Sequence, residues 1–179
     1  MTAELLVRLA NLTLPRKPGR GPRVHPDPLA NVEEASEALG VSAVSVPDLA
    51  GLRALHELVV DLVDRLLEGR ALDEQAARLT ALAQPSRAEA RLEPGDAGEL
   101  QARLRWHDPS PVAGLARRVV LELGEIEPAR LRRCARPECD LVFYDATRSG
   151  TRRWHAESPC GQRERQRRFR GAHRAEEDG

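Results

Sequence analysis

All three cysteines of this chain fall, with one histidine, in a single segment whose spacing is C-x4-C-x15-H-x4-C: Cys134, Cys139, His155 and Cys160. Pro137 lies between the first two and favours a tight bend, which turns both thiolates toward one point. His155 and Cys160 form a matching second pair. Zinc takes four nitrogen or sulfur donors in a tetrahedral array, and a Cys3His set leaves no coordination position open. The pattern therefore predicts one structural Zn2+ ion. Two other readings remain at this stage: three buried cysteines beside an ordinary histidine, or a catalytic cysteine. No ordered base and orienting acid surround any of the thiols, which weakens the catalytic reading.

The opening stretch MTAELLVRLANLTLPR carries Arg8 inside its apolar run and has no small-residue cleavage site, so it is a poor secretory signal. Nor does any run approach the roughly 18–20 apolar residues of a membrane span. A cytoplasmic protein with no membrane partner is the expectation. In a reducing compartment disulfides do not persist, and an odd number of cysteines pairs poorly.

Ser158 and Pro159 read as a helix cap followed by a first-turn proline, placing Cys160 in the first turn, where the helix dipole favours a thiolate. Three thiolates around Zn2+ carry about one net negative charge, which neighbouring guanidinium groups relieve. Asp140 or Asp145 is expected to accept the second ring N–H of His155. Four of the five aromatic residues, Phe143, Tyr144, Trp154 and Phe169, lie in the same segment. They read as a mini-core that a module of this size completes only with a metal staple, worth about 10–16 kcal/mol in finger peptides.

Charge is strongly polarised although the whole chain is neutral. Residues 131–174 hold 12 arginines against 5 acids. On the helix predicted after Cys160, Arg163, Arg167 and Arg170 fall within about 60° of one another, with Arg165 and Arg168 on other faces. Arg152 and Arg153 precede His155. Guanidinium forks match phosphate oxygens and guanine edges, so these seven arginines are the candidate nucleic-acid contacts. The alternatives are a solvated face or a patch that docks an acidic protein. Because the aromatics are expected to be taken up by the mini-core, duplex backbone contact is favoured over base stacking, with DNA ahead of RNA.

Before this segment the chain reads as mostly helical. ELLVRLANLTL has strand-like length; PRKPGRGPRVHPDP, with five prolines, is a loop; LANVEEASEALG is a short helix stopped by Gly40. Leu52, Leu55, Val59, Leu62 and Leu66 recur at steps of three and four on a helix ending at Gly69, a stripe that faces the protein's own core or, alternatively, a second copy. Asp73 reads as the cap of a helix bearing Ala76, Leu79 and Leu82. The alternation of Leu100, Ala102, Leu104 and Trp106 with polar residues, preceded by AEARLEP and GDAG, is a hairpin signature. SPVAGLARRVVLELGE returns to helical spacing. His25, His56, His107 and His173 stand alone and read as ordinary surface or core residues. No G-x-S-x-G, P-loop or dinucleotide fingerprint is present, so no enzymatic activity is expected.

The run C-x4-C-x-L-x-F-x-D, followed by S-G-T-R-R-W-H-x4-C-G-Q-R, resembles the CGNR zinc-finger proteins, bacterial two-domain proteins proposed to be stress-induced transcriptional regulators. Cys134, Cys139, Arg153, Trp154, Cys160, Gly161 and Arg163 match the family pattern. His155 stands where the family has cysteine, which keeps a zinc ligand, and Gln162 stands where it has asparagine. LANLTL, the long helix and AARLTALA follow the family's N-terminal domain more loosely, with Thr80 in place of a frequent asparagine. The resemblance implies a DNA-binding transcription regulator. Taken together, an α+β fold is predicted: a mostly helical regulatory or dimerising domain over 1–130, a treble-clef or ribbon-like zinc module ending in a basic helix over 131–174, and an acidic tail over 175–179.

Overall fold

The computed structural model describes residues 3–12, 27–95 and 99–177, with side chains described as far as residue 170. The proline-rich loop expected over 15–28 lies almost wholly outside them, as does most of GDAG. The order of elements is α1 (Glu4–Ala10), α2 (Val32–Leu39), α3 (Val46–Glu68), α4 (Asp73–Ala83), β1 (Arg87–Pro94), β2 (Leu100–His107), α5 (Pro111–Glu125), β3 (Leu131–Arg133), β4 (Val142–Tyr144) and α6 (Gln162–Glu177). A helical N-terminal region with a hairpin thus precedes a small sheet, a Cys3His cluster and a final helix. Among the described residues no helix is long and apolar enough to cross a membrane.

Local chemistry sets several of these boundaries. Asn31 accepts the Glu34 N–H at the start of α2. Ser45 and Asp48 form a capping box on α3, and Ser110 accepts from the Ala113 N–H on α5. Gly40 and Gly69 close α2 and α3 at φ of 64° and 67°, a left-handed conformation that side chains resist. On α4, Asp73 is the first helical residue rather than the cap. Its buried residues are Gln75 and Leu79, while Ala76 faces solvent. Gln75 is buried because its carboxamide donates to Asp61 of α3 at 2.7 Å.

The first element departs from expectation. Residues 4–10 are helical, not a strand, because the α5 carboxylate of Glu122 accepts the N–H groups of Leu5 (3.1 Å) and Leu6 (2.8 Å). Those donors are among the four that a helix cannot satisfy internally, and a negative charge there also suits the helix dipole. Leu5, Leu6 and Leu9 then pack against Leu52, Leu55 and Val59 of the long α3 and Leu115 and Val119 of α5. The same core continues past residue 130 into Leu131 and Val142 of the small sheet.

Asn11, just beyond α1, joins the two regions as a short strand would. Its carboxamide donates to the Val142 carbonyl and accepts the Val142 N–H, both at 2.8 Å. Arg133 of β3 pairs with Asp64 of α3 nearby. The β3–β4 hairpin is thereby held on the helical body, and Cys134 and Cys139 lie in the loop that joins its two strands.

Candidate metal centre

β3 runs directly into Cys134, and the chain returns to β4 through Cys139. The Cys134 N–H donates to Leu141 O (2.9 Å) and the Cys139 N–H to Arg136 O (2.9 Å), closing the bend that Pro137 predicts. Ala135 N–H donates to Arg153 O (2.8 Å), which brings the second half of the site alongside the first. Between the halves, the fully buried Asp145 carboxylate accepts from Thr147 N–H (3.0 Å), Thr147 Oγ1 (2.6 Å) and Arg152 N–H (2.7 Å). It therefore shapes the 145–152 loop. Neither Asp145 nor Asp140 accepts from His155 among the described residues, contrary to expectation.

Cys160 lies in a wide turn, Glu157–Gly161, that precedes α6. The helix starts at Gln162, later than predicted, because Ser158 adopts an extended conformation (φ −111°, ψ 126°) and its hydroxyl bonds the Gln162 side chain (3.0 Å) instead of capping the backbone. The outcome for the site is the one expected. The ligand atoms of Cys134, Cys139, His155 and Cys160 all lie within 4.8 Å of one another. His155 turns Nδ1 toward the cluster, 3.4 Å from Cys139 Sγ. An ideal zinc tetrahedron has sulfur–nitrogen edges of about 3.6 Å and sulfur–sulfur edges of about 3.8 Å, so the donor set fits the ion.

Burial pushes the Cys139 thiol up to about 12, and neighbouring Cys134 and Cys160 add to that, against the Leu141 backbone bond that lowers it. A thiol as shielded as Cys139 does not ionise at neutral pH unless a cation compensates it. Burial, helped by the Arg152 guanidinium, holds His155 below the usual imidazole range, which keeps the ring neutral and available to a metal. Burial opposes the charge on Arg136, but hydrogen bonding to Cys160 and Glu138 outweighs it and raises its pKa. Only 11% of this side chain is exposed, Nε donates to Glu138 (2.8 Å), and Nη1 is buried without an oxygen acceptor. Arg136 is a cation built into the first knuckle against the thiolates.

The CGNR zinc finger family model matches residues 130–173. Residues 130–173 are a CGNR zinc finger. Comparison with curated proteins finds no match. The finger carries one Cys3His site for a single zinc ion, whose four protein donors make it a closed, structural centre.

The finger's arginines divide into two groups. Arg152 turns inward: its guanidinium donates to His155 O (2.5 Å) and lies 5.2 Å from the Phe143 ring centre. Arg153 is exposed and sits 5.6 Å from the Trp154 ring centre. Arg163, Arg165, Arg167, Arg168 and Arg170 are on α6, and Arg165, Arg167, Arg168 and Arg170 are exposed there. Arg165 pairs with Glu157, while Arg167 and Arg168 share the buried Glu164 carboxylate, which they hold down to about 2. Arg163, also exposed, and Arg170 have no carboxylate partner among the described residues.

The expected aromatic mini-core is only partly formed. Phe143 is buried, Trp154 packs against the cysteines and Tyr144 against the helical core, but Phe169 on α6 is 64% exposed. Arg136, Glu164 and Asn11 were not legible as site residues. Arg136 had a signal, its place between two ligands; the roles of Glu164 and Asn11 depend on which way their side chains face.

Proposed function

We propose that this chain is a DNA-binding regulator in which zinc fixes the finger and α6 presents its arginines to duplex phosphates. One observation carries the reading: a helix about 24 Å long that packs chiefly on its own preceding turn, with five exposed arginines and its one early acid, Glu164, buried beneath them. The zinc centre has no position for substrate, so in this reading its role is architectural. The helical body is the regulatory part, and its effector is unidentified. A response to stress follows from the family resemblance alone.

Fluorescence anisotropy with labelled duplex DNA at two salt concentrations tests the proposal on protein with confirmed zinc. Affinity should fall steeply with salt, and Arg163→Ala with Arg170→Ala should flatten the log–log slope by about 2, near 0.9 for each phosphate no longer neutralised. No binding at low salt by the zinc-loaded protein would refute it. Phe169 favours a second reading, single-stranded RNA, because an exposed ring beside arginines is a stacking platform. Tighter binding of single-stranded RNA than of duplex, abolished in Phe169→Ala, would select that reading.

A further inference from the structure

The β1–β2 hairpin has a face that, beyond Trp106 at its root, the rest of the described chain leaves exposed. Its register sets Ala88, Ala90, Leu92 and Pro94 directly opposite Trp106, Leu104, Ala102 and Leu100. Opposed residues in an antiparallel pair project from the same side, so all eight share one face. The other face carries Arg87, Glu89, Arg91 and Glu93 opposite His107, Arg105, Arg103 and Gln101. This strict alternation is the mark of a sheet with one side buried, yet Leu92, Leu100 and Leu104 are 70%, 71% and 63% exposed.

We infer that the apolar face of this hairpin is the surface through which two copies of the chain associate. The root of the hairpin is fixed: Arg117 of α5 lies 4.4 Å from the Trp106 ring centre and bonds Asp108 through two hydrogen bonds of 2.8 Å. The arm therefore presents its face in a set direction.

That face is self-complementary. Each central cross-strand pair joins one small and one large residue, Ala90 with Leu104 and Leu92 with Ala102, and the order reverses from one rung to the next. A copy related by a twofold axis can set its leucines over the alanines of the first, as an isologous interface requires. On the charged face Arg91 pairs with Glu89 (3.1 Å) and Arg103 with Glu93 (3.2 Å) within the hairpin, while Arg87 and Arg105 are exposed to solvent. Area points the same way: allowing roughly 180 Å² for a free leucine, the apolar face offers about 600 Å² per copy, so a pair removes about 1,200 Å², the lower bound for a stable interface. A two-stranded hairpin is also marginal in isolation, and the apolar face of the partner's hairpin supplies the opposing layer it lacks.

Sedimentation equilibrium on the full, zinc-loaded chain tests the inference, with Leu92→Glu, Leu104→Glu and their combination as variants. Both leucines are exposed in the single chain, so circular dichroism and zinc content should not change. The wild type should sediment at twice the chain mass at micromolar concentration, each single variant should weaken association at least about 100-fold, and the double variant should be monomeric. Arg91→Glu, on the charged face of the same strand, should leave the dimer intact. A monomeric wild type at about 100 μM, a dimer that survives the double variant, or equal weakening in Arg91→Glu would each overturn the inference. So would a monomeric wild type that sediments with neutral phosphatidylcholine vesicles, since the face would then belong to lipid.

Discussion

Replacing Asn11 by alanine removes the one side chain, among the described residues, that pairs with the backbone of β4. The Val142 residue is buried, and its N–H and carbonyl are both satisfied by Asn11 at 2.8 Å. Each hydrogen bond contributes about 0.5–1.5 kcal/mol net, and a buried backbone group left without a partner costs about 1–3 kcal/mol. Partial access of water to the vacated space lowers the upper figure, so Asn11→Ala should destabilise the folded state by about 2–4 kcal/mol. For a chain of this length that corresponds to a fall in Tm of roughly 5–10 °C. Urea unfolding at a fixed free zinc concentration measures it, since bound metal shifts apparent stability by mass action. Asn11→Asp sharpens the test at neutral pH. It keeps an acceptor for the Val142 N–H but sets a carboxylate oxygen against the Val142 carbonyl, so it should cost at least as much as alanine despite its matching shape. A loss below about 0.5 kcal/mol in Asn11→Ala, or near-wild-type stability in Asn11→Asp, would refute the claim that this side chain acts as a strand.

Zinc removal by a chelator, or Cys139→Ala, should abolish the near-ultraviolet signal of Trp154 while leaving most helix content, and His155→Cys should retain one zinc by elemental analysis. Arg136→Ala should weaken zinc affinity about tenfold in competition with a chromogenic chelator, with Arg136→Lys recovering part of the loss, because a buried cation compensates the thiolates. Asp108, held down to about 2 by its hydrogen bonds to Arg117 against the opposing effect of burial, has a folded pKa below its unfolded one. Its contribution is therefore complete above about pH 4 and is lost as pH falls toward 2. Asp108→Asn should cost about 1 kcal/mol at pH 7, after allowing for solvent screening, and only a small part of that at about pH 2, as read by chemical denaturation at both values.

Much of the metal centre was legible in the order of residues because ligand spacing is a local constraint: two short knuckles and a proline bend bring four donors together whatever surrounds them. The long helix was legible for the same kind of reason, since the leucine stripe and the Gly69 that ends it are near neighbours in the chain. The arginine load of α6 can also be counted directly. Where pattern and structure part, the deciding partner is remote. Residues 4–10 are helical because Glu122, more than a hundred residues away, accepts their free N–H groups, and no pattern within ELLVRLA announces that. Phe169 reads as part of a mini-core from its nearness to the cysteines, but it lies beyond the wide turn, on a helix that leaves the body. Composition and spacing thus determined that this chain has a zinc finger, a helical body and an alternating hairpin. Only the tertiary structure decided which side chains those parts share with one another, and it left one apolar face uncovered, because burial depends on what folds against a surface and not on the residues that form it.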